Sequence, residues 1–185
     1  LRELYLLREK VNNCNCEVSS FVKLLALSRL HGHSSGFFST YSMPQISVTP
    51  QAQLRINNSR GTWPEYRNVA ERLIKKAKAA LKDNNINTIR RAARSNLVLT
   101  SDARRLNPWP SAAVDLIVTS PPFLNIVDYL ADNRLEYWFL NIDAATVGRA
   151  LMQGGSFQQW ARFMRDAMAE MARILRKGGI CIIEV

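Results

Sequence analysis

Val114-Asp115-Leu116-Ile117-Val118-Thr119-Ser120-Pro121-Pro122-Phe123 is the stretch whose reading decides the fold. Its first six residues form an almost unbroken apolar run, the signature of a strand buried on both faces. The run stops at two prolines. Each fixes φ at about −65° and has no backbone N–H to donate, so the ladder ends and a stiff turn begins. Carbonyls at such a turn are held outward, beside one hydroxyl (Ser120) and one aromatic ring (Phe123). The result is a small pocket lined by acceptors under a flat apolar lid.

Working outward, Asn96-Leu97-Val98-Leu99-Thr100 reads as a second short buried strand, followed by a turn on Asn107-Pro108-Trp109-Pro110. Helical spacing recurs over 134–140 and again from Ser156 to Arg176, where Phe157, Trp160, Met164, Met168, Met171 and Leu175 make a core stripe. Arg173, Arg176 and Lys177 fit a last helical turn and Gly178-Gly179 its stop. An apolar strand from Ile180 follows. Strands alternating with helices predict an α/β fold, a parallel sheet with flanking helices that binds ligands at the carboxyl ends of its strands.

The first half reads differently. Residues 1–30 predict two helices broken at the polar stretch Asn12 to Cys16, and 31–62, rich in Ser, Gly, Pro and Asn, predict a long irregular connection. A helix over 65–82 would turn Ala70, Leu73, Ile74, Ala77 and Leu81 inward and Arg72, Lys75, Lys76 and Lys82 outward. The chain thus divides into a basic, helical and loop-rich region, 1–94, and a sheet-forming region, 95–185. Charge divides the same way. The chain carries 25 Lys and Arg against 15 Asp and Glu, a net of +10; residues 1–94 hold 16 basic and 6 acidic side chains, and residues 95–185 hold 9 of each. Such asymmetry points to a polyanionic partner for the first half. Arg72, Lys75 and Lys76, with Arg55 and Arg60 in the connection, are the candidate phosphate contacts; a merely solvated face is the alternative. The aromatics Phe37, Phe38, Tyr41 and Trp63 either meet a nucleobase or pack back onto the sheet.

Several classes are excluded. No apolar stretch approaches the roughly 18–20 residues of a membrane span, and no signal-peptide pattern follows Arg2, so the expectation is a soluble, cytoplasmic protein. Cys14, Cys16 and Cys181 read as free thiols. With only His31 and His33 to join them, no metal site is expected. The chain opens on Leu1 and closes inside an apolar strand, which reads as an interior fragment of a longer protein.

The run VDLIVTSPPF resembles the catalytic motif of amino-methylating DNA methyltransferases, in which Asp, Asn or Ser precedes Pro-Pro and Tyr or Phe at the end of a core strand. Thr100-Ser101-Asp102-Ala103-Arg104 is similar to the acidic motif of the same S-adenosylmethionine-dependent, Rossmann-like fold, and the helix leading to Lys177-Gly178-Gly179 is similar to its next helix and strand. The resemblance covers roughly 95–185. It implies methyl transfer from S-adenosylmethionine to an exocyclic amine of a DNA base flipped from the duplex, as in restriction-modification, defence or orphan enzymes. Ser120, Pro121, Pro122 and Phe123 would then be catalytic, and Asp102 and Thr119 would contact the cofactor. Such an amine is a poor nucleophile because its lone pair is delocalised. Acceptors at Ser120 Oγ and the Pro121 carbonyl would draw it toward a tetrahedral shape, and Phe123 would stack on the base. Ser in place of the commoner Asp favours cytosine N4 over adenine N6. Asp102 has a plainer alternative as a turn cap. The family's glycine-rich cofactor turn is missing: Gly32, Gly36, Gly61 and Gly154-Gly155 follow no apolar strand. It is expected upstream of Leu1 or, in a permuted order, beyond Val185, and the fragment alone should bind the cofactor poorly. An RNA amino-methyltransferase and a catalytically silent nucleic-acid-binding domain are the competing readings.

Overall fold

A computed structural model describes residues 1–30, 36–38, 48–82, 85–124, 127–152 and 155–184. The elements run α1 (Arg2–Asn12), α2 (Glu17–Leu30), α3 (Pro50–Arg60), α4 (Val69–Ala80), α5 (Ile86–Ser95), β1 (Val114–Thr119), α6 (Tyr129–Asp132), α7 (Arg134–Leu140), α8 (Ala144–Ala150), α9 (Phe157–Ile174) and β2 (Leu175–Ile183). They fall into two compact units. The first comprises Leu1–Ala93 with Tyr129–Arg149, and the second Arg94–Asp128 with Ala150–Val185. The segment 129–149, read from sequence as part of the sheet-forming half, therefore packs with the amino-terminal helices.

In the first unit, Leu4, Val11, Ala26, Leu30, Phe37, Phe38, Val69 and Phe139 make one buried cluster. Polar contacts fix α7 against α1: Arg8 Nε donates to the Trp138 carbonyl at 2.5 Å, its guanidinium lies 5.3 Å from the Trp138 ring centroid, and Asn12 Nδ2 donates to the Phe139 carbonyl at 2.7 Å. Glu3 holds the start of α4, its carboxylate accepting from the Val69 N–H at 3.0 Å and the Tyr66 hydroxyl at 2.6 Å.

Several expectations change here. The stretch 31–62 contains a helix, α3. The Thr49 hydroxyl accepts from the Ala52 N–H, Pro50 sits where a missing N–H costs nothing, and Gly61 ends the helix at φ 60°. Phe37 and Phe38 are buried in the helical core rather than on a sheet or in a base site, while His31, His33 and Tyr41 lie outside the described residues. Helix α4 is shorter than 65–82, and of its supposed inward stripe Ala70, Ile74 and Leu81 are exposed. Burial at Val69 and the grip of Glu3 anchor its first turn. A further change is α5, absent from the sequence reading: its charged residues hid the helical spacing of Ile86 and Ile89, both of which are exposed.

The second unit is α/β. β1 and β2 pair in parallel, with Leu116 opposite Ile180, Ile117 opposite Cys181, Val118 opposite Ile182 and Thr119 opposite Ile183. The glycines do not stop the helix. α9 ends at Ile174, Leu175 is already extended at φ −72° and ψ 130°, and Gly178-Gly179 lie within β2, where the register slips between Val114 and Leu116. Gly178, at φ 80°, takes a left-handed conformation that suits such an irregularity. Arg176 and Lys177 are accordingly strand residues, and Arg176 pairs with Asp115 at 2.5 Å. The reason is visible in the backbone: Ala112 and Ala113 N–H groups take the carbonyls of Arg173 and Ile174 at 2.9 and 2.8 Å, using the helix end to seat the start of β1. Two strand expectations also change. Residues 96–100 join neither strand, with Val98 92% exposed, and the sheet face carrying Leu116, Val118, Ile180 and Ile182 is exposed rather than covered.

At the other end of α9, the Ser156 hydroxyl accepts from the Gln159 N–H while the Gln159 side chain accepts from the Ser156 N–H. This reciprocal cap satisfies two orphan donors. Ser156→Ala should destabilise the second unit by about 1 kcal/mol, read as a lower urea midpoint with unchanged slope.

Candidate active site

β1 delivers Ser120-Pro121-Pro122-Phe123 at its carboxyl end. The ladder runs one residue past β2, since the Glu184 N–H donates to the Thr119 carbonyl at 3.0 Å. Ser120 follows directly and is exposed, Pro121 and Pro122 are half-buried, and Phe123 is 41% exposed. Not every carbonyl of the turn faces outward: that of Pro122 accepts from Trp160 Nε1–H at 3.1 Å. Helix α9 thereby clamps the turn through an indole, itself steadied by Phe157 at 6.1 Å between ring centroids. Sequence reasoning placed Trp160 in the core. The available signal was its N–H, which needs a partner wherever the ring is partly buried. Trp160 also lines a cavity of about 550 Å³ with Ala161, Met164, Arg165, Met168 and Ile183, so the methionine stripe is partly open, with Met168 exposed.

Asp102 sits in a turn that it caps. Its Oδ1 accepts from the Arg104 N–H at 2.9 Å, and both carboxylate oxygens take the Arg104 guanidinium, at 2.7 Å for the Nη2 contact. These bonds from Arg104 hold its carboxyl down at about 2. The guanidinium in turn lies 5.3 Å from the Phe163 ring centroid on α9. Of the two roles weighed for Asp102, the turn cap is the one its contacts describe.

A second clamp on α9 sets the approach to β1. Arg173 forks onto Glu170, both contacts at 2.8 Å, and donates to the carbonyls of Trp109 and Leu106 at 3.0 and 3.3 Å, while Glu170 accepts from the Leu106 N–H at 2.7 Å. Sequence reasoning gave Arg173 only a favourable place near a helix end. Arg173 lowers the Glu170 carboxyl from 4.5 to about 2, with the Leu106 N–H adding to the effect. A depressed carboxyl stabilises the fold fully above its unfolded value and loses that contribution as pH falls through its folded value. The second unit should therefore weaken between about pH 4.5 and pH 2. Glu170→Gln should lower stability at neutral pH and flatten this part of the profile, measured by urea unfolding across that range.

Of the candidate phosphate contacts, Arg55 and Arg60 are exposed on α3 rather than in a loop, Lys75 is exposed on α4, and Arg72 and Lys76 are half-buried there. All five belong to the first unit, whereas Thr119 to Phe123 and Asp102 belong to the second. Among the described residues no three His, Cys, Asp or Glu side chains are grouped to hold a metal ion, and no helix is long and apolar enough to cross a membrane. No protein-family model, curated protein or solved structure matches the chain.

Proposed function

We propose that the chain contributes the base-binding part of an amino-methyltransferase of the Rossmann-like type, acting on an exocyclic amine of a DNA base, with cytosine N4 favoured over adenine N6. The observation that carries this reading is the Ser-Pro-Pro-Phe turn at the carboxyl end of a parallel strand, braced by Trp160 and Glu184. Ser120 Oγ and the Pro121 carbonyl accept the two amine N–H groups, and the exposed Phe123 ring stacks on the flipped base. Bracing matters because acceptors fixed in advance act without reorganising during the reaction. With the Pro122 carbonyl occupied by Trp160, the Pro121 carbonyl is left as the backbone acceptor of the pair. The basic helices of the first unit supply phosphate contacts.

The methyl donor in this reading is S-adenosylmethionine, which supplies an electrophilic sulfonium methyl. The described residues do not by themselves fit it. Asp102 is closed by Arg104, the Thr119 carbonyl is spent in the ladder, and the described glycines stand beside Phe37 with the carbonyl held by Arg67 (Gly36), at a helix end (Gly61), in short α8 (Gly148), before α9 (Gly155) and inside β2 (Gly178, Gly179). Ser120, Pro121 and Phe123 therefore act on the amine and its base and not on the donor. Flipping itself is measurable. Duplex DNA carrying 2-aminopurine at the target position should brighten on binding, and Phe123→Ala should lose most of that signal; equal brightening in both proteins would remove the base-binding role from the turn.

A further inference from the structure

The turn between α1 and α2 carries two thiols that the preceding chemistry does not use. Cys14 and Cys16 are both exposed, and their Sγ atoms lie 2.8 Å apart. The turn is held at each end: the Asn13 N–H closes α1 on the Glu9 carbonyl, the Ser20 N–H opens α2 on the Cys16 carbonyl, and the Ser19 hydroxyl reaches back to the Val11 carbonyl at 2.6 Å. Cys16 thus directly precedes the first residue of α2, beside the N–H groups of its first turn.

The two sulfurs are unequal. The contact with Cys14, with the Ser19 and Val18 N–H groups adding to its effect, draws the Cys16 thiol below the ordinary range, while the same contact pushes the Cys14 thiol up. Lys23 adds positive charge beside both. This is the division between an attacking and a resolving sulfur, since the thiolate is the nucleophile in exchange. Cys181, an exposed thiol on β2, provides an internal comparison.

We propose that Cys14 and Cys16 form an exchange-active dithiol that reacts with small-molecule disulfides and closes reversibly into a bond clamping the α1–α2 turn. The Cys16 thiolate attacks one sulfur of R–S–S–R, whose S–S bond breaks and releases one RS⁻, which takes up the proton that Cys16 lost. Cys14, giving its proton to solvent, then attacks the Cys16 sulfur and expels the second RS⁻, which is protonated in turn. The two protein thiols lose two electrons and the small disulfide gains them, leaving two RSH. Closure asks the sulfurs to move only from 2.8 Å to a bonding distance of about 2 Å.

The test uses the reduced chain and oxidised glutathione at neutral pH, with timed alkylation and peptide mass spectrometry. Cys16 should react about tenfold faster than Cys181, and the Cys14–Cys16 peptide should accumulate lighter by two hydrogens, without a lasting glutathione adduct. Cys14→Ser should trap the adduct on Cys16, and Cys16→Ser should slow Cys14 to the pace of Cys181. Circular dichroism confirms that both variants keep their helices. Reaction of Cys16 no faster than Cys181, or a stable adduct on Cys16 with Cys14 present, would overturn the proposal.

Discussion

Ser120→Ala is expected to lower methyl transfer to DNA by roughly 100-fold or more, with DNA affinity changed by less than about twofold. The side chain is exposed at the end of β1 and stands outside the helical core and the clamps on α9, so its loss should leave the fold intact. On the proposed reading, what disappears is one of two acceptors placed for the positive charge that grows on nitrogen as the methyl arrives. Removing one pre-placed hydrogen-bonding partner of a developing charge typically costs two to three powers of ten in rate. Affinity should survive because, on the proposed reading, phosphate contacts from the basic helices supply most of the binding to DNA. Ser120→Asp should retain activity, since a carboxylate is the stronger acceptor. The measurement is single-turnover transfer of labelled methyl with duplex DNA, using the full-length protein.

The largest expected effect on stability is Phe139→Ala. Phe139 is fully buried, heads the side chains sealed inside the first unit, and its carbonyl is held by Asn12. Deleting a ring of this size from a packed core costs about 3–5 kcal/mol through lost transfer energy and the cavity left behind. That is a large share of the roughly 5–15 kcal/mol that holds a typical domain folded. Urea unfolding followed by Trp138 fluorescence, with the ring adjacent in sequence and packed against Arg8, should show the loss directly. Phe123→Ala provides the contrast: its ring is 41% exposed, and its removal should change stability by about 0.5 kcal/mol or less. The pair separates a phenylalanine placed for packing from one placed at a site.

Much of the second unit was legible in the sequence because its signals are local. The apolar run 114–119 ended by two prolines gave β1 and the turn, and the spacing from Phe157 gave α9 within two residues of its end. What was not legible depended on partners distant in sequence. Leu97, Val98 and Leu99 are as apolar as β1, yet an apolar run does not state which strand it pairs with. Gly178-Gly179 carried the usual mark of a helix stop, but the carbonyls they would have capped were already taken by Ala112 and Ala113. The turn shows the same limit. Its place after β1 follows from the order Thr119 to Phe123 alone, whereas Trp160, Arg173 and Glu170, which fix the turn and its approach, act across some forty to sixty-five residues of sequence. The contact of Asp102 with Arg104 is local, yet Asp102 before a turn reads equally as a cap or a ligand in sequence.

The central claim is that the Ser-Pro-Pro-Phe turn presents an exocyclic amine of a DNA base for methylation. The most direct test incubates the full-length protein with labelled S-adenosylmethionine and duplex DNA or RNA, then digests each to nucleosides. Label is expected in DNA as N4-methylcytosine, or as N6-methyladenine if adenine is the target, and is expected to be lost in Ser120→Ala. Label confined to RNA, no label in either nucleic acid, or an unchanged rate in Ser120→Ala would contradict that claim.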